Sequence, residues 1–230
     1  MLICTFAFYL MKLIHEIKHL IHKEFLLEFR QKYAFAGVLL YVFSTVFICY
    51  LSFKKILVPA NWNALFWIIV LFAAINAIAK SFLQENKGRQ LYYYTLHSPV
   101  AVIVSKIIYN SILMLALSFL CFFCYGLLIK NNVQDIPFFI LNIALGSLGF
   151  ASVLTMVSAI ASKTNNNFSL MAILSFPMLV PMLITLIKTS KYSVDGLDRS
   201  LSYPYFGVLL LINVLIIVLS VVLFPYLWRE

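Results

Sequence analysis

Ionisable side chains are scarce in this sequence, and they are missing where a membrane enzyme or pump would need them. Charged residues make up 11% of the chain and hydrophobic residues 63%, with a mean hydropathy of +0.99. Soluble domains run at about 25% charged and about 45–50% apolar. The departure marks an all-α polytopic membrane protein, and its natural unit is the apolar run of ~20 residues that crosses a ~30 Å hydrocarbon core. Six such runs can be drawn, at roughly 34–53, 62–79, 107–129, 137–161, 168–187 and 205–227. So drawn, none contains Asp, Glu, Lys, Arg or His. Proton-coupled carriers and pumps keep such groups within the bilayer, at about 2.5–3.5 kcal/mol each on insertion scales. An embedded hydrolase or transferase would want acids, bases or metal ligands beside its substrate. The lack disfavours both classes and leaves an embedded enzyme as the weakest candidate. No G-x-x-x-x-G-K-[ST] loop is present either, so any driving force from nucleotide must come from a separate subunit.

Cysteine is sparse too. Cys4, Cys49, Cys121 and Cys124 lie in or beside apolar runs, which argues against a disulfide framework. Cys121-Phe-Phe-Cys124 has the spacing of redox and metal motifs, but no basic neighbour favours a thiolate. The pair reads as small packing residues. Met1 to Leu10 is apolar, and neither the basic start nor the small-residue cleavage site of a cleaved signal is clear in it. The expectation is that translation begins at Met11.

The charge that is present is unevenly placed. The net charge of +9 suggests nucleic acid at first sight, but the basic residues sit at helix ends and in short loops, where they set membrane orientation. The N-terminal helix, the connection after the second span, Lys163 and Arg229 together hold eleven of the 17 Lys and Arg residues. That side is expected to be cytoplasmic, with both termini inside. Residues 11–33 carry Leu13, Ile17, Leu20, Ile21, Phe25 and Phe29 at helical spacing, with charges largely elsewhere on the wheel. The pattern predicts an amphipathic helix lying in the membrane interface, followed by a six-span domain over 34–228. His15, His19 and His22 share one face of that helix. They read as polar-face residues, and no metal site is assigned. Trp62 and Trp67, at the start of the second span, are expected to anchor it at the lipid headgroups.

The longest polar interruption runs from Lys80 to Lys106, KSFLQENKGRQLYYYTLHSPVAVIVSK. It exceeds what a connector needs and contains an amphipathic stretch, Leu91 to Leu96, and a Ser98-Pro99 helix start. A docking surface is the functional reading. In the fourth span Ala144, Ser147, Ala151, Thr155 and Ser158 form a small-residue stripe, suited either to close helix packing or to a subunit or translocation face. Pro177 and Pro181 fall inside the fifth span, where each removes a helix hydrogen bond. They predict a kink or break, and in the functional version a hinge.

This layout resembles the ABC-2-type transporter permeases, and among them the CcmB family. Three stretches carry the resemblance: Glu85, Gly88, Leu91, Leu96, Pro99 and Lys106 before the third span; Leu145-Gly-Ser-Leu-Gly-Phe150; and the P-x-x-x-P of Pro177 and Pro181. The aromatic and basic Arg89-Gln-Leu-Tyr-Tyr-Tyr94 departs from the family pattern. The resemblance implies a non-catalytic permease subunit in a bacterial inner membrane. Its partners would be a separate CcmA-like ATPase, CcmC-, CcmD- and CcmE-like haem-handling proteins, membrane lipid and a possible second copy of itself. It implies no directly bound cofactor, with haem as a transported or handled ligand. Glu85, Gly88, Arg89, Leu91, Leu96 and Pro99 are the expected ATPase-coupling residues. The alternatives are an ABC-2 permease for a lipid, polysaccharide or drug, and a non-transporting scaffold for haem-protein assembly.

Overall fold

The computed structural model describes residues 2–30, 32–53, 58–78, 82, 97–129, 131–163 and 168–229. Among them the elements are helical throughout: α1 (Leu2–Arg30), α2 (Lys32–Phe53), α3 (Pro59–Ile78), α4 (Pro99–Ile129), α5 (Ile136–Lys163), α6 (Phe168–Asp195), a 3₁₀ turn (Arg199–Ser202) and α7 (Tyr203–Arg229). Six of these segments are long and apolar enough to cross a membrane. The fold class is therefore the one the composition predicts. Glu85, Gly88, Arg89, Leu91 and Leu96 lie outside the described residues.

α5 is the axis of the bundle. It packs against α3, α4, α6 and α7, and 78% of its most apolar stretch is buried, against 11% of that in α2. Its sequence explains this. Lipid is as apolar as leucine, so helices in a bilayer associate by close packing rather than by escape from water. α5 supplies that closeness with small residues. A Cβ on Gly146 would stand 2.7 Å from the Trp67 ring, and one on Gly149 would collide with Met182 Cε. The two glycines are sockets for side chains of α3 and α6.

The spans differ from those drawn on the sequence in three places. The helix of the third span begins at Pro99, not at 107. Its 31 residues extend about 46 Å at 1.5 Å per residue, well beyond the ~30 Å hydrocarbon. The first turns thus project past the apolar core, and Lys106 lies inside the helix. α6 continues to Asp195 rather than stopping at Ile187 and is unbroken through both prolines; it ends where Gly196 takes φ +67°. Trp62 and Trp67 are not headgroup anchors. Both are completely buried in an aromatic cluster with Phe66, Tyr125 and Phe139. Trp67 needs no headgroup partner because its Nε1–H donates to Ser190 Oγ at 2.8 Å.

Candidate functional site

The two described edges of the polar connection are tied into the bundle by specific contacts. Ser98 is the N-cap of α4. Its carbonyl accepts from Val102 N–H at 3.2 Å and its hydroxyl from Ala101 N–H at 3.4 Å. Pro99 follows at the first helical position, where a missing N–H costs little. Ser98 also gives its own N–H and O–H to Glu16 Oε2 of α1, at 3.4 and 3.1 Å. Glu16 thereby places a carboxylate at the positive end of the α4 dipole. At the other edge, Phe82 N–H donates to Ser158 Oγ of α5 at 3.3 Å, and the Phe82 ring packs against Phe224 of α7.

Two turns into α4, Lys106 is 2% exposed. Its Nζ lies 3.3 Å from Glu24 Oε1 of α1 and 4.5 Å from the centroid of the Phe82 ring. Lys23 reaches the same Glu24 oxygen at 2.9 Å. Burial pushes the Glu24 carboxyl up, but the ammonium groups of Lys106 and Lys23 outweigh it, and its pKa falls below the ordinary value. Around these charges Leu20, Phe82, Ala101, Val102, Ile103 and Ile107 form a separate apolar cluster. α1 is therefore fixed to the first turns of α4 by one capped serine, one buried ion pair and a shared core. The sequence reading missed this pairing because it placed Lys106 in a water-facing connector. The Ser98-Pro99 helix start was the usable signal: counted from there, Lys106 falls two turns inside a helix.

The small-residue stripe of α5 is turned into the bundle. Ser147 Oγ donates to Ser118 Oγ of α4 at 3.1 Å, and Thr155 Oγ1 accepts from Asn110 Nδ2 at 2.8 Å. Ser158 holds Phe82, Ala151 is fully buried and Ala144 is half-buried. Within a single chain this stripe is thus a packing face toward α4. Pro177 and Pro181 instead face outward on α6, and Thr185 Oγ1 donates to the Pro181 carbonyl at 2.6 Å. Beyond them α6 is locked to α3: Asn63 Nδ2 donates to Ile187 O at 2.9 Å, and Ser190 Oγ to Asn63 Oδ1 at 2.8 Å.

With this geometry in hand, comparison with protein families matches residues 15–227 to CcmB, described as CcmB protein. The chain belongs to the CcmB family. The match covers nearly all of it, so the family assignment applies to the six-span bundle and to most of α1 together. No curated protein and no solved structure matches the chain. CcmB proteins are membrane permease components of the haem-export system of cytochrome c maturation.

In CcmB terms, the expected coupling residues are represented among the described ones by Pro99 alone. Pro99 opens α4, which carries Lys106, and Lys106 meets α1 directly. Among the described residues no three His, Cys, Asp or Glu converge to hold a metal ion. Cys121 and Cys124 are buried in the main core and free of disulfide, with Cys49 packed against it.

Proposed function

We propose that this CcmB-family chain is the permease subunit of an ATP-driven complex of cytochrome c maturation in the bacterial inner membrane, with both termini cytoplasmic. A separate CcmA-like ATPase grips the connection between α3 and α4 through Glu85, Gly88, Arg89, Leu91 and Leu96. Closure of the ATPase on nucleotide pushes that connection. The complex, with CcmC- and CcmD-like subunits, uses the push for haem export or for release of a haem-loaded CcmE-like chaperone.

One observation carries this reading: both described edges of the connection are fastened to structural elements. A push on a loosely tethered loop would dissipate in the loop. Here Phe82 passes load to α5 and α7, and Ser98 and Lys106 pass it to α4 and α1. Pro177 and Pro181 give the motion a place to bend, since the C-terminal part of α6 is held to α3 while the prolines face away from the core. The outward face of α1, with Met11, Ile14 and Leu26 exposed beside Lys12 and Lys18, suits an interface with anionic lipid.

The test is Gly88→Trp combined with Glu85→Arg in the assembled complex. The substitution removes room for backbone approach and reverses the charge offered to the ATPase. The expected result is loss of both stimulated ATP hydrolysis and cytochrome c maturation. If both are unchanged, the docking role is wrong.

A further inference from the structure

The outward face of α1 also holds a histidine pair that the proposed coupling does not use. His15 and His19 are one helical turn apart, and their Nε2 atoms lie 3.0 Å from each other. The rings meet edge-on, 80° apart, and both side chains are exposed. In a neutral pair at this distance, one Nε2–H donates to the lone pair of the other. Moving that proton to Nδ1 of the same ring frees two lone pairs that converge, with no net proton released.

With the rings where they stand, the separation lies nearer a right-angled chelate than a tetrahedral one. At metal–nitrogen distances of about 2.0–2.1 Å, nitrogens 3.0 Å apart subtend about 95° at the metal. A tetrahedral ion wants about 109° and hence nitrogens about 3.3 Å apart at the same bond lengths. Tetragonal ions place neighbouring ligands near a right angle, and among divalent ions that is the habit of copper(II) and nickel(II). Imidazole affinity rises in the same direction, with copper(II) above both nickel(II) and zinc(II).

We propose that His15 and His19 form a two-nitrogen site for a tetragonal divalent transition-metal ion, copper(II) first and nickel(II) second. Water fills the remaining positions. Glu16 lies beside the pair in sequence but accepts from Ser98, so it does not complete the set. Lys12 and Lys18, exposed on the same helix, oppose a cation electrostatically, and the chelate must overcome them. The ion therefore exchanges with solvent and bridges one turn of α1 next to the residue that caps α4.

The test uses full-length protein without an affinity tag, in detergent, titrated with copper(II) and followed by electron paramagnetic resonance. The expected spectrum is a tetragonal copper signal with two-nitrogen splitting that saturates at one equivalent. That signal is lost in His15→Ala and in His19→Ala and kept in His97→Ala. Nickel(II) competes for the site more strongly than zinc(II). Because both histidines are exposed, the variants should fold, and unchanged circular dichroism checks it. Copper binding that is the same in the wild type and both variants overturns the proposal. So does a wild type that binds no copper, or one in which zinc(II) outcompetes nickel(II).

Discussion

The bundle is closed at each end by an ion pair, and the two pairs are built differently. At the connection end, Lys106 and Glu24 join α4 to α1 with side chains 2% and 13% exposed. At the far end, Arg199 and Asp135 join the 3₁₀ turn to the loop before α5, with side chains 54% and 20% exposed and Nε–Oδ2 at 2.6 Å. The second guanidinium contact, Nη2 to Oδ1, is 3.0 Å, so the far pair has the better fork geometry. Geometry does not decide which pair matters. Water already solvates the far pair, whereas the near pair has given up that solvation and depends on each partner. The far end is held instead by neutral contacts. Gln134 and Asp135 both donate backbone N–H to Ser193 O, at 3.1 and 3.0 Å. Asn63, Trp67 and Ser190 tie α3 to α6, and Gly146 receives Trp67. One end is held by an electrostatic joint, and the other by neutral packing and hydrogen bonds.

The largest effect should come from breaking the near pair on one side. Glu24→Leu removes a carboxylate from beside the buried Lys106 ammonium and should cost up to about 3–5 kcal/mol in unfolding free energy, read from thermal or denaturant unfolding in detergent. Adding Lys106→Met should recover most of that loss, because an apolar pair of similar volume is often neutral in place of a buried ion pair. Lys106→Met alone should cost less than Glu24→Leu, since Lys23 still engages Glu24. No recovery in the double variant would sink the view that desolvation governs this joint.

The same joint should be acid-sensitive. Glu24 has its pKa depressed in the folded chain. Its contribution is therefore fully present above the unfolded value of about 4.3 and is lost as pH falls through the lower folded value. Wild type should lose stability below about pH 4.3 more steeply than Glu24→Leu with Lys106→Met. Parallel pH profiles would contradict this.

At the far end the sensitive change is steric. Gly146→Ala puts a methyl group against the Trp67 ring and Leu186, which are already within 2.7 and 3.1 Å of the Cβ position. An overpacked core of this kind should lose about 1–3 kcal/mol. Asn63→Ala removes two interhelical hydrogen bonds and should cost about 0.6–1.7 kcal/mol by the range seen for such bonds in membranes. Arg199→Ala, which breaks the exposed pair while leaving Asp135 to accept from Phe138 N–H at the start of α5, should have the smallest effect, a shift in unfolding temperature that shrinks further at high salt. A salt-independent loss larger than that of Gly146→Ala would reverse the ranking of the two ends.

Much of this architecture was legible in the sequence, for a physical reason. A span must be long and apolar whatever it packs against, so the six segments can be counted from composition alone. Their partners cannot. Trp62 and Trp67 have the composition of headgroup anchors, and only the placement of Tyr125, Phe139 and Ser190 makes them core residues. Lys106 looked like a loop residue because its charge was weighed without Glu24, which is 82 positions earlier. The α6 prolines were read as a kink or break, and the helix runs on through both with Thr185 bonded to the Pro181 carbonyl. The small-residue stripe was visible as a stripe, but its direction, toward Ser118 and Asn110, is a property of the fold. The coupling role of Glu85, Gly88, Leu91 and Leu96 is read from the family resemblance; these residues lie outside the described ones, and the structural contacts bear only on the edges of the segment.

The central claim is that the connection between α3 and α4 faces the cytoplasm, where an ATPase can grip it. Gly88→Cys in an otherwise cysteine-free chain, probed with a membrane-impermeant maleimide, tests it directly. The account predicts no labelling in intact cells with a sealed inner membrane and labelling once that membrane is opened. Labelling of Cys at position 88 from outside the sealed inner membrane would contradict it.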